Sequence, residues 1–102
     1  MIKVNILYPN GPQVVFDFDY YRNTHLPLVA ELMGDALKDT QVDAGLDMGP
    51  QGEKAPYIAI GTLYFASVEV FQAAFGLHTE QLMADVPNFT NTTPVVQVNE
   101  QR

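Results

Sequence analysis

Residues 57–65 read YIAIGTLYF, nine residues in which both alternating faces are largely apolar. A run of that length, rich in β-branched and aromatic side chains, predicts a strand. A strand apolar on both faces does not belong at an edge; it predicts a central position, with neighbours on both flanks. The remaining chain has to supply those neighbours and something to lay over them.

It does so in a recognisable order. In residues 2–8, Ile2, Val4, Ile6 and Tyr8 alternate with Lys3, Asn5 and Leu7, and Pro9-Asn10-Gly11-Pro12 ends the run with turn chemistry. Phe18, Tyr21, His25, Leu28, Val29, Leu32, Met33 and Ala36 then follow at helical spacing, with Asp17 placed to favour the first turn. Pro27 removes a backbone donor and disfavours helix at Leu26, so a kink or restart is expected near residues 24–27, with the second segment reaching about Leu37. Residues 41–48, QVDAGLDM, set Val42, Ala44, Leu46 and Met48 against Gln41, Asp43, Gly45 and Asp47, which predicts a second strand. Beyond the central strand, Ser67 is placed to cap a helix ending at Gly76, followed by a shorter helical turn from Thr79 to Ala84 and a last strand, PVVQVNE.

The order β-α-β-β-α-β predicts an α+β fold of the ferredoxin-like type, an antiparallel four-stranded sheet carrying both helices on one face. A length of 102 residues allows one domain, residues 1–102. The uncovered sheet face is expected to be apolar. Since 47% of the chain is hydrophobic and only 17% charged, pairing of two copies through that face is expected.

Composition removes several functions. Five Lys and Arg stand against twelve Asp and Glu, a net charge of −7 that repels phosphate backbones and anionic lipid. There is no cysteine, hence no disulfide, thiolate ligand or thiol nucleophile. No run has the apolar length of a leader or a membrane helix, and a cytoplasmic protein is expected. Ser67, the sole serine, is committed to a cap, which sets nucleophilic hydrolysis aside. No metal-ligand spacing and no glycine-rich phosphate loop occurs, so neither metal nor cofactor is expected.

His25 is the strongest candidate for chemistry. It shares the apolar stripe with Tyr21, one turn earlier, and a restart of the helix at Pro27 would favour the neutral imidazole, able to accept a proton or polarise a carbonyl. The plainer alternative is a core histidine bonded to a carbonyl freed at the break. Asn5 and Thr62 are polar groups on apolar strands, which either line a cavity or bond to one another, and Tyr64 either orients a ligand or packs in the core or an interface. His78 is expected on the surface. The acidic residues read as solvated faces, with no carboxylate paired to a histidine.

Three segments carry a family likeness: Phe18 to Val29 with its Tyr-Tyr, His25 and Leu-Pro-Leu-Val; Tyr64-Phe65 with the Ser67–Gly76 helix; and Asp85-Val86-Pro87-Asn88-Phe89-Thr90. In these the chain resembles the EthD family, named for a protein of ethyl tert-butyl ether degradation. The resemblance implies a dimeric α+β barrel, with a pocket between sheet and helices and His25 at the position of the family's characteristic histidine. Similar architectures include cofactor-free monooxygenases, polyketide cyclases, lactone isomerases and haem-degrading enzymes. The resemblance thus implies binding of a small, mostly apolar, carbonyl-bearing or aromatic molecule. On it His25 would act as acid/base and Tyr21 as hydrogen-bond donor. The alternatives are a non-catalytic dimer that binds a metabolite or serves an oxidation system, and a cofactor-free monooxygenase.

Overall fold

The computed structural model describes all residues, 1–102. Four strands, β1 (Ile2–Pro9), β2 (Leu37–Ala44), β3 (Tyr57–Phe65) and β4 (Val95–Glu100), form one sheet in the order β2-β3-β1-β4. Every pairing is antiparallel. This is the expected ferredoxin-like arrangement, with the YIAIGTLYF strand flanked by β1 and β2.

One face of the sheet is covered. Ile2, Val4 and Tyr8 of β1 and Ala59, Leu63 and Phe65 of β3 are buried on it beneath three helices. Helix α1 covers residues 18–33, α2 is Val68–Gly76 and α3 is Thr79–Asp85. Asp17 caps α1 by accepting the Tyr20 N–H at 3.0 Å, and Ser67 caps α2 by accepting the Val70 N–H at 3.2 Å. The core holds two buried clusters, bridged by the partly buried Ile6 and Leu26. One cluster gathers Val4, Val29, Met33, Leu63, Phe65, Phe71 and Leu82; a second holds Tyr8, Tyr21, Ala59, Val86 and Phe89.

Pro27 does not break α1. The helix runs Phe18–Tyr20 as α, Tyr21–His25 as a π turn, and Leu26–Met33 as α again. The Leu26 N–H reaches back five residues to the Tyr21 carbonyl. The wider turn relieves the clash that proline makes with the carbonyl four residues before it. It also winds less per residue. In an α-helix, residues four apart drift by about 40°; here Tyr21 and His25 stay in line, their rings stacked at 5.0 Å and 29°. With the helix continuous, His25 does not stand at a new N-terminus, and no dipole argument applies to it.

Two further expectations are corrected. The second strand is Leu37–Ala44, not residues 41–48, and Leu46 and Met48 lie 71% and 78% exposed. Gly34, at φ 58°, ends α1 after Met33, and one 3-10 turn delivers the chain directly into β2. The alternation persists to Met48, but its partner β3 begins only at Tyr57, opposite which Ala44 and Gly45 are the last residues held. The open face of the sheet is also not uniformly apolar. Asn5, Gln41, Thr62, Tyr64, Gln97 and Asn99 share it with Leu7, Ile58, Ile60 and Val95. No helix is long and apolar enough to cross a membrane.

Candidate functional site

Beside the two core clusters, a narrow cleft opens between the sheet and the helices. Ile6, Leu63 and Val96 form its floor on the sheet, Tyr21, His25 and Val29 its wall on α1, and Phe75, Leu82 and Met83 the opposite wall. Ten of its twelve lining residues are hydrophobic, so the imidazole is the conspicuous polar group.

His25 is 6% exposed, and its Nδ1 lies 2.8 Å from Asp85 Oδ2. The other carboxylate oxygen, Oδ1, accepts the Tyr20 hydroxyl at 2.7 Å and the Asn88 Nδ2–H at 2.9 Å. No carboxylate had been expected beside this histidine. Asp85 is sixty residues away in sequence, at the end of α3, and the fold closes that distance. Its segment is held by a clasp. The Asp17 N–H donates to the Phe89 carbonyl, the Thr90 hydroxyl to the Val15 carbonyl, and Asn91 bonds both Val15 and Gln13. The clasp also seats Phe89 at 4.7 Å from the imidazole and 5.1 Å from the Tyr21 ring.

Burial pushes the His25 pKa below its ordinary 6.5, although the bond to Asp85 and its charge pull the other way. For Asp85, burial is the largest single influence and acts upward, but the bonds from His25, Tyr20 and Asn88 together outweigh it and hold the carboxyl below 3.8. The pair at neutral pH is therefore a neutral imidazole donating to a carboxylate, and not an ion pair. Nε2 has no hydrogen-bond partner in the chain, and no buried side-chain nitrogen or oxygen is sealed off unpartnered. Nε2 is thus not sealed off, and it belongs to a ring that lines the cleft and is held in place through Nδ1.

Both shifts have the same consequence for the fold. A folded pKa below the unfolded one means that the unfolded chain binds protons first as pH falls. Stability should hold above about pH 6.5 and decline below it, first through His25 and then, under pH 4, through Asp85. Urea titrations at a series of pH values test this; in His25→Phe the decline should begin only in the carboxylate range.

Tyr21 is 1% exposed and burial pushes its hydroxyl up to about 12. That hydroxyl does not face the imidazole. It rests on the backbone of Gly61, in the centre of β3, beside the Tyr8 hydroxyl. What Tyr21 gives His25 is the face of its ring. Asn5, Thr62 and Tyr64 lie elsewhere, since strand alternation puts them on the open face, opposite the cleft. The Asn5 Nδ2–H donates to Thr62 Oγ1 at 3.0 Å, Asn99 donates to Asn5 Oδ1, and the Tyr64 hydroxyl donates to Gln41 at 3.2 Å. His78 precedes α3 and is half-buried, away from this cluster. No group of three or more His, Asp or Glu side chains is placed to hold a metal ion.

The family model of the EthD domain matches residues 16–93, a span that includes His25, Asp85 and the Phe89–Asn91 side of the clasp, while Gln13 and Val15 precede it. The chain belongs to the EthD family. An EthD-like protein from Ralstonia eutropha JMP134 is similar over 97% of this chain and 89% of its own, with 33% identity and a TM-score of 0.89. An ethyl tert-butyl ether degradation (EthD) family protein from Bacillus halodurans C-125 aligns over 100% of this chain and 99% of its own at 23% identity, with a TM-score of 0.68. HapK from Hahella chejuensis has the same fold, with a TM-score of 0.60 at 14% identity over 100% of this chain and 93% of its own. A search of curated protein sequences returned no match. The EthD assignment fits the ferredoxin-like sheet and leaves the chemistry to the site itself.

Proposed function

We propose that this EthD-family chain binds a small, mostly apolar molecule, carbonyl-bearing or aromatic, in the cleft and moves a proton on it without a cofactor. His25 is the general base through Nε2. Asp85 is a positioning residue that holds the ring and its tautomer, and Tyr21 and Phe89 pack the imidazole into one orientation. The observation that carries this reading is the 2.8 Å contact of Nδ1 with Asp85 in a side chain that lines an apolar cleft and whose Nε2 has no partner in the chain. A core histidine kept only for packing has no need of a carboxylate with three donors.

Deuterium wash-in from D₂O tests the reading on a panel of small ketones and enolisable aromatics, followed by proton NMR. Wild-type protein should exchange the acidic C–H of at least one compound, and His25→Ala should not, while still binding it. If a compound binds and exchanges no faster with wild type than with His25→Ala, the chain is a non-catalytic metabolite-binding protein.

We also propose that two copies pair through the open sheet face, so that Asn5, Thr62 and Tyr64 belong to the pairing surface. Ile60 is the apolar residue to change, because Asp43 sits opposite it in the register. Ile60→Glu should shift the protein from dimer to monomer in sedimentation experiments, through a buried charge beside a like charge. An unchanged sedimentation coefficient would reject this surface.

A further inference from the structure

His25 presents a hydrogen-bond polarity to the cleft, and that polarity restricts what can bind there. We infer that the ligand is an uncharged molecule with an apolar, flat body and a weakly acidic hydroxyl, phenolic or enolic, that donates to His25 Nε2. The inference rests on the reading of the cleft as a binding site and goes further by naming the group that must face the imidazole.

The argument begins at Asp85. Its Oδ1 is met by the Tyr20 hydroxyl at 2.7 Å and the Asn88 amide at 2.9 Å, and its Oδ2 by the imidazole at 2.8 Å. A carboxylate can only accept, so every one of these partners donates, and Nδ1 carries its hydrogen. A neutral imidazole has one N–H. Nε2 is therefore a lone pair, and a ligand whose only polar atom is a carbonyl or ether oxygen would set one acceptor against another in an apolar cleft. A hydroxyl satisfies both groups.

Charge narrows the choice further. None of the chain's five Lys and Arg lines the cleft, and the Asp85 carboxylate stands directly behind the ring. A ligand carboxylate would be desolvated there without a counter-ion, against a net protein charge of −7. An ammonium would exchange its hydration for a single bond among apolar walls. Tyr8, Tyr21 and Phe75 line the cleft, which favours a flat ring for the body. When the proton moves, the ligand O–H bond breaks, its electron pair stays on oxygen, and an Nε2–H bond forms. The product is a phenolate or enolate beside an imidazolium whose second N–H still faces Asp85, and no oxidant or reductant is consumed.

Four naphthalene probes of similar body separate the possibilities: 2-naphthol, 2-fluoronaphthalene, 2-acetylnaphthalene and 2-naphthoate. Each is titrated into protein carrying ¹⁵N-labelled histidine, with the His25 ring nitrogens as the reporter. In the free protein Nε2 should resonate as an unprotonated nitrogen and Nδ1 as N–H. 2-Naphthol should bind about tenfold more tightly than the fluoro and acetyl probes and shift Nε2, and the naphthoate should bind most weakly. His25→Phe, which keeps an aromatic body in the wall, should erase the preference; the wild-type tautomer and ranking decide the matter even if that variant fails to fold. Nε2 found protonated, or fluoro, acetyl or carboxylate probes binding as tightly as the naphthol while moving the His25 signals, overturns the donor inference and leaves the cleft a binding site. No probe moving those signals overturns the cleft reading itself, and the inference with it.

Discussion

Gly61→Ala should destabilise the protein by roughly 3 kcal/mol, at the upper end of what overpacking costs. Alanine in place of glycine inside a strand ordinarily stabilises by about 0.5–1 kcal/mol, so the sign alone is diagnostic. The reversal comes from Tyr21. A Cβ at position 61 would overlap the Tyr21 hydroxyl oxygen and stand 3.2 Å from Cζ. The ring has no retreat, being 1% exposed and hemmed in by Tyr8, Phe16, His25 and Phe89. Urea unfolding of Gly61→Ala, Tyr21→Phe and the double variant measures the clash as a coupling. Removing the hydroxyl should recover most of the loss, with the remaining carbon contact accounting for the rest. A neutral or stabilised Gly61→Ala would mean that Tyr21 is not seated on the strand. The orientation of His25 stacked above it would then need another cause.

Asp85→Asn should invert the histidine. The amide is nearly isosteric with the carboxyl, but it must choose which end faces which partner. Two donors, the Tyr20 hydroxyl and the Asn88 amide, meet Oδ1, so the new carbonyl oxygen stays there and the new NH₂ turns toward His25. Nδ1 must then accept, and the hydrogen moves to Nε2. The ring keeps its place but loses the lone pair on Nε2 that the proposed base would use. Inverting a protease triad histidine by the same substitution costs on the order of 10⁴ in turnover, and any proton transfer by His25 should fall on that scale. The His25 pKa should also drop further, because both influences of Asp85 on it act upward. Histidine ¹⁵N shifts report tautomer and titration without a known substrate. A variant that keeps Nε2 unprotonated would show that Asp85 does not set the tautomer.

Much of this was legible beforehand. Period-two patterning identified β1, a run rich in β-branched and aromatic residues identified β3, a last strand was expected at β4, and the helical stripe placed Tyr21, His25, Val29 and Met33 inward, where all four are buried. The Ser67 cap follows from residue type alone; Asp17, expected to favour the first turn by its charge, also caps it by accepting the Tyr20 N–H. The misses have a common origin in the distance over which the deciding interaction acts. The end of β2 depends on where its partner strand begins, which alternation in residues 41–48 does not encode. The π turn depends on a compromise between Pro27 and a stripe whose Tyr21, His25, Val29 and Met33 all stay buried. Asp85 reaches His25 only because Asn91 and Thr90 tie its segment to residues 13–15. Its sequence signal was present in the DVPNF segment, which carried the family likeness; nothing in the spacing said that this aspartate faced a histidine.

The divided core has a consequence for how the molecule trades robustness against use. Where the cleft indents the packing between the two clusters, which only Ile6 and Leu26 bridge, contacts that a solid interior would make are missing, and the native state is weaker by that amount. A substitution that fills the cleft, such as Val96→Ile or Val29→Leu, would therefore raise the melting temperature while closing the approach to His25. A bound molecule would do the same reversibly, knitting both halves into one unit, so that occupancy reads out as heat resistance. A thermal-shift screen is thus a search for the ligand, and the fold itself is the detector.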